Sequence, residues 1–207
     1  MQIMTFVAGP IDANNYLIWD EDSKEGILID CSEYREDILD VIKNKNIKIK
    51  HILLTHGHFD HVIGVNKMKK ALNTTVGINN GDKALLEHIN EFGNFFIGLP
   101  ELEIPEIDFN VSDGDIINVG DMKIKVLYTP GHTEGGVCYL VDNKYLFSGD
   151  TLFKGSYGRT DLFGGNYKKI ASSLKDIILK LDDNVIVYPG HGEISDIGYE
   201  KKYNEII

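Results

Sequence analysis

The feature that most constrains this chain is a run of six residues, His56-Gly57-His58-Phe59-Asp60-His61. It is an H-x-H-x-D-H cluster, with three imidazoles and a carboxylate crowded into one short segment. Such crowding is costly unless something neutralises or binds the groups. A divalent metal ion does so, because neutral imidazole and carboxylate are its natural ligands. The cluster follows Ile49 to Leu54, which reads as a buried strand. Gly57 is expected to permit a tight turn that points alternate side chains inward.

Three later segments carry matching groups: Thr129-Pro130-Gly131-His132-Thr133, Ser148-Gly149-Asp150-Thr151 and Tyr188-Pro189-Gly190-His191-Gly192. Each follows a predicted strand and sets one ligand-type residue beside glycine, where scaffolded loops carry function. With the cluster they total seven candidate ligands, enough for two metals. His51 and His88 fall on a predicted strand and a predicted helix, outside these motifs, and read as structural or surface residues. No G-x-S-x-G is present, so hydrolysis by a serine nucleophile is not needed.

The chain around these motifs reads as one globular domain. At 207 residues, 43% hydrophobic and 26% charged, it can bury a core without disulfides. A net charge of −11 disfavours a nucleic-acid partner, which needs a positive field. There is no basic, apolar leader and no run of about 18 apolar residues, so neither secretion nor a membrane span is expected. Cys31 and Cys138 form no C-x-x-C pair, and the expected location is the reducing cytoplasm. Cys31 is expected as a buried thiol and Cys138 as core.

Strands are predicted at 3–8, 16–19, 26–29, 49–54, 75–78, 116–119, 122–128, 136–141, 145–147 and 185–188. Helices are predicted at 33–44, 61–72, 82–89, 167–181 and 199–206. Residues 91–108 read as irregular, with an apolar knot at Phe95, Phe96, Ile97 and Leu99 that suits a packed surface loop or a substrate lid. Strand clusters with interspersed helices in two similar halves suggest an α/β sandwich.

The motifs together resemble the metallo-β-lactamase fold superfamily, specifically its small glyoxalase II-like hydrolases. The resemblance includes Asp30 after an early strand, the H-x-H-x-D-H loop and the three later loops. It extends to Gly158-Arg159-Thr160-Asp161 and Gly198-Tyr199-Glu200. It implies a four-layer αββα sandwich, residues 1–207 as one domain, and metals at one edge between the sheets. By resemblance His56, His58 and His132 bind the first metal, Asp60, His61 and His191 the second, and Asp150 bridges. Asp30 corresponds to a carboxylate that orients a ligand imidazole. The implied reaction is thioester hydrolysis by a metal-bridging hydroxide that Asp60 helps to orient. Zinc is the expected metal, and iron or manganese also suits an all-nitrogen-and-oxygen set.

Two departures from glyoxalase II bear on substrate. The chain ends soon after its final ligand, without the helical C-terminal domain that contacts glutathione. Arg159 and Asp161 stand where glyoxalase II carries a Lys and a Tyr. Arg159 keeps a cation for a substrate carboxylate or pairs with Asp161, and Lys154 and Tyr157 are candidates for the pocket rim. Persulfide dioxygenases share this scaffold and a Gly-Arg-Thr-Asp segment, with one iron that His56, His132 and Asp150 could hold. Lactone or ester hydrolysis uses the same apparatus as thioester hydrolysis. The expected partner is a small-molecule acyl substrate, and the expected state a monomer or homodimer.

Overall fold

Apolar side chains occupy both faces of the central strands, and the two faces serve different cores. The computed structural model describes residues 1–91, 98 and 101–206. The knot Phe95, Phe96, Ile97 and Leu99 lies outside the described residues. The first sheet runs in chain order: β1 (Gln2–Ala8), β2 (Ala13–Trp19), β3 (Glu25–Ile29), β4 (Lys48–Leu53), β5 (Thr75–Ile78) and β6 (Phe109–Asn110). β1 to β3 pair antiparallel, and β3 to β6 pair parallel. Parallel pairing requires crossovers. These run through α1 (Glu36–Lys45), through α2 (Phe59–Val62) with α3 (Val65–Leu72), and, between β5 and β6, through a segment containing α4 (Lys83–Glu87).

The second sheet contains β7 (Ile116–Val119), β8 (Met122–Tyr128), β9 (Val137–Val141), β10 (Tyr145–Gly149), β13 (Ile186–Pro189) and β14 (Ser195–Asp196). Its order is β14-β13-β10-β9-β8-β7, with β10 and β13 parallel. A short hairpin, β11 (Leu152–Phe153) with β12 (Ser156–Tyr157), lies in the glycine-rich stretch Gly149 to Gly165, which reads as loop from its sequence. Two-residue strands are too short to leave a periodic pattern.

Alternation along the strands divides the apolar residues among three interfaces. Leu17, Leu28 and Ile52 face Ile38, Ile42, Val65 and Met68 of α1 and α3. Their neighbours Ile18, Ile27 and Leu53 turn the other way, onto Ile124, Val126, Tyr139 and Phe147 of the second sheet. Cys138, Leu140, Leu146 and Val187 on that sheet's far face meet Ile170, Leu174 and Ile178. Three cores separate four layers, giving the αββα order. Each fully buried aliphatic side chain contributes about 1.5–3 kcal/mol.

The helix expected over 61–72 is two pieces. Gly64 N donates to Cys31 O at 2.9 Å and Cys31 N to His61 O at 2.8 Å, fastening the break to the loop after β3. The helix expected over 167–181 begins as α5 (Tyr167–Ser172), where Asn166 Oδ1 caps Lys169 N at 3.0 Å. It continues as a wide turn over Ser173–Ile177 and a tight one over Ile178–Lys180. Of the apolar stripe that its spacing predicts, Ile170, Leu174 and Ile178 are fully buried and Ile177 and Leu181 partly so. The last helix, α6 (Ile197–Tyr203), starts earlier than expected because Asp196 caps it through Tyr199 N at 2.7 Å.

Candidate metal centre

The seven candidate ligands lie in loops after the C-terminal ends of β4, β8, β10 and β13. β3 and β4 are parallel in one sheet, and β10 and β13 in the other, so their ends meet at one edge of the sandwich. After β4 the chain bends at Thr55, and His58 is extended at φ −67 and ψ 146. His56 and His58 bring their rings together beside His132. Phe59 then opens the single turn of α2, which carries Asp60 and His61. Gly57, expected to permit a tight turn, has no left-handed backbone. Its value is space, since a Cβ there would lie 3.1 Å from Cβ of Asp82.

Three groups of ligand atoms converge: His56, His58 and His132; His56, His61 and Asp150; and Asp60, His61 and His191. His58 Nδ1 and His132 Nε2 are 2.8 Å apart. His61 Nε2 lies 3.3 Å from His191 Nε2, from Asp60 Oδ2 and from Asp150 Oδ1. Asp150 spans the groups, its Oδ2 lying 3.5 Å from His132 Nε2 and 3.7 Å from His191 Nε2. Gly190 allows this approach, because a Cβ there would sit 2.1 Å from Asp150 Oδ1.

Hydrogen bonds fix which ring nitrogen faces the centre. Asp30 Oδ2 accepts from Thr55 Oγ1 at 2.8 Å, so the hydroxyl oxygen is left to accept from His56 Nδ1 at 3.0 Å. His61 Nδ1 donates to Asp30 Oδ2 at 2.8 Å, and His132 Nδ1 donates to Arg159 O at 2.8 Å. His191 Nδ1 faces Asp12 O at 3.3 Å. Four histidines thus turn Nε2 inward and His58 turns Nδ1. Asp30 meets His61 Nδ1 from a left-handed backbone at φ 58. An Asp held there is strained, a feature that clusters at functional sites.

The electrostatics are those of a site built for cations. Burial and the nearby His61 hold His56 well below the ordinary imidazole range. Burial and His132 push His58 down to about 3, leaving it a neutral donor. Burial opposes a charge on His61, yet Asp60, Asp150 and Asp30 raise its pKa well above the usual value. Burial also works against ionising Asp60 and Asp150, but His61 holds both below the usual carboxylate range. Two buried atoms, His56 Nε2 and Asp150 Oδ1, make no hydrogen bond among the described residues. Buried polar atoms normally have partners. A bound divalent cation satisfies both, and the nitrogen-and-oxygen donor set fits zinc, iron or manganese.

A cavity of about 210 Å³ opens onto this centre. His58, Asp60, His132, Asp150 and His191 form its polar floor, and Ile11, Phe59, Leu85, Leu162 and Phe163 its apolar wall. Arg159 also lines it, with Nε and Nη2 on the Asp161 carboxylate at 2.7 and 2.8 Å. Lys154 and Tyr157 stand off the lining. Lys154 pairs with Glu193 at 2.5 Å, and Tyr157 packs on the outer core under α5.

His51 and His88 also lie apart, on Thr75 Oγ1 and Glu91. Cys31 and Cys138 are free, buried thiols. Sequence reasoning passed over Thr55, Asn14 and Tyr16. Asn14 Nδ2 donates to Pro189 O and Gly192 O at 2.9 and 3.1 Å, and Tyr16 Oη to Pro189 O at 2.6 Å, steadying the His191 loop. Thr55 alone carried a signal, its place beside His56 at a strand end.

The family model described as the metallo-beta-lactamase superfamily matches residues 8–191, which span the whole centre. The chain belongs to the metallo-β-lactamase superfamily. Hydroxyacylglutathione hydrolase GloC of Haemophilus influenzae is 36% identical over 198 residues, covering 94% of this chain and 92% of the relative. The crystal structure of BLEG-1 B3 metallo-beta-lactamase superposes with a TM-score of 0.90 at 32% identity, covering 99% of this chain and 98% of that one. TTHA1623 in a di-iron-bound form gives 0.86, also at 32% identity, covering 99% and 100%. Within the superfamily the chain is a metal-dependent hydrolase in general type. Among the described residues no helix is long and apolar enough to cross a membrane.

Proposed function

We propose that the chain is a dinuclear-metal-dependent thioesterase of the glyoxalase II type, cleaving an S-acyl, and specifically a hydroxyacyl, thiol. The observation that carries this reading is the pair of ligand groups, His56/His58/His132 and Asp60/His61/His191, with Asp150 between them. In this reading the first group would hold one divalent ion and the second another, with the Asp150 carboxylate placed between the groups. Zinc is the expected ion, with iron or manganese compatible. Likeness to the Haemophilus hydroxyacylglutathione hydrolase supports the substrate class.

Divalent ions at these positions supply Lewis acidity towards the acyl carbonyl and lower the pKa of bound water towards about 7. The protein's own groups do the rest. Asp60 lines the cavity floor, where its carboxylate accepts a hydrogen bond from the attacking water and orients it. Asp30 keeps the proton of His61 on Nδ1, away from the reacting face. The wall of Ile11, Leu85, Leu162 and Phe163 receives the acyl portion and excludes bulk water. Arg159 meets a carboxylate of the carrier thiol. Its ion pair with Asp161 is exposed and screened by solvent, so a substrate carboxylate can replace Asp161.

We read residues 1–207 as one domain acting in the cytoplasm, as a monomer or homodimer, on a small-molecule substrate. The testing experiment is hydrolysis of S-D-lactoylglutathione by metal-replete protein, beside a chelator-stripped control. Chelator-sensitive turnover is the expected result. Failure of protein carrying two metals to hydrolyse it would reject this substrate, and lactones and simple esters would be assayed next. Oxygen consumption with a glutathione persulfide by protein carrying one iron would instead favour the dioxygenase reading.

A further inference from the structure

His56 and His58 belong to one loop and His132 to another, yet the nitrogens of His58 and His132 stand 2.8 Å apart. The two loops meet on a buried carboxylate that no metal-ligand motif contains. Asp82 ends the tight turn Asn80–Asp82 after β5 and is 1% exposed. Its Oδ2 accepts from Gly57 N at 2.8 Å, between His56 and His58. The same oxygen accepts from Thr133 Oγ1 at 2.8 Å, directly after His132, and Oδ1 accepts from Gly135 N at 2.6 Å. Space for this junction comes from glycine on both sides. A Cβ on Gly135 would lie 2.5 Å from Asp82 N and 2.8 Å from its Cγ, in addition to the close contact at Gly57.

We propose that Asp82 is a positioning residue for the His56/His58/His132 group, clamping the two loops in register and setting the metal affinity of that group alone. The inference rests on the reading of that group as a metal site. A charged acceptor makes stronger hydrogen bonds than a neutral one, and here a single carboxylate holds three donors drawn from both loops. None of its three bonds reaches the loop carrying His191. The Asp60/His61/His191 group has its own carboxylate brace in Asp30, through His61 Nδ1. Outer carboxylates that orient ligands typically govern metal affinity by about 10–100-fold.

The test separates the two groups by disabling one at a time and titrating with Co²⁺ or Zn²⁺ against a competing chelator. In His191→Ala protein, which keeps the first group intact, adding Asp82→Ala is expected to weaken metal binding about 10–100-fold. In His58→Ala protein, which keeps the second group intact, the same addition is expected to leave affinity unchanged. Asp82→Asn keeps the shape and one acceptor, so it should recover part of the loss. Thr133→Val removes one of the three bonds and serves if Asp82→Ala does not fold. It should weaken the first group in the same direction by less, with a matching change in the visible spectrum of bound Co²⁺.

Equal losses in both backgrounds would make Asp82 a general stability residue and overturn the proposal. Unchanged affinity in folded variants would overturn it too. If the parent protein itself bound no metal, the metal-site reading would be at fault rather than the role of Asp82.

Discussion

The two ligand groups differ in chemistry, exposure and bracing. His56, His58 and His132 form an all-imidazole set, each member 8% exposed or less. Asp60, His61 and His191 include a carboxylate, and the side chain of His191 is 24% exposed. Burial depresses the pKa of His56 and His58, making neutral donors that need no deprotonation near neutrality. Asp60, Asp150 and Asp30 raise the pKa of His61 well above the usual imidazole value, so His61 gives up its proton less readily than His56 or His58. Asp150 connects the two groups.

The largest expected effect comes from removing the connection. Asp150→Ala should lower turnover about 10³-fold or more and reduce metal content at both groups. A variant with wild-type turnover and two bound ions would break the shared-carboxylate picture. Next, His58→Ala and His191→Ala should each leave one ion per chain, by metal analysis after dialysis, with activity strongly reduced in both. Loss of both ions from either variant would mean that the groups are one cooperative site.

Asp30→Asn places an amide N–H₂ where Thr55 and His61 need acceptors. It should weaken metal binding at the second group about 10–100-fold and affect the first less, as chelator competition would report. Equal weakening would show that Thr55, which links Asp30 to His56, couples the groups strongly.

The smallest effect concerns pH. A raised pKa means that the proton competes with metal up to higher pH. Binding to the second group should therefore weaken as pH falls through the raised values of His61 and His191. His56 and His58 are held low and stay neutral over the same range. Dialysis from about pH 7 to about pH 5 should release one ion before the other, with the His191 group emptied first. Release in the opposite order would show that the raised pKa values of His61 and His191 do not decide which group empties first.

Much of this was legible before any fold was known. The H-x-H-x-D-H run and three Gly-flanked loops name all seven residues that the structure gathers, and Asp30 was singled out beside them. Alternating apolar residues foreshadowed the sheets, since a strand's faces follow from a period of two. Where pattern was weak, the reading slipped. The hairpin of β11 and β12 was taken for loop, and α2 and α3 were merged because Val62, Val65 and Met68 keep helical spacing across their break. Arg159 lines the cavity while it pairs with Asp161, whereas Lys154 and Tyr157 stand off the lining, because sequence proximity does not specify where a loop side chain points.

The sequence by itself determined the types of candidate ligand, their number and the faces of the strands, because local spacing and side-chain chemistry encode these. Tertiary structure decided which ligands share a group, which ring nitrogen faces inward and what braces each loop. Those features depend on contacts between distant segments: Asp30 meets His61 across 31 residues, Asp82 meets Thr133 across 51, and Asn14 meets Pro189 across 175. Asp82 looks like an ordinary helix-start residue in the chain. Only the stacking of the two sheets brings its carboxylate between the loops that carry His58 and His132.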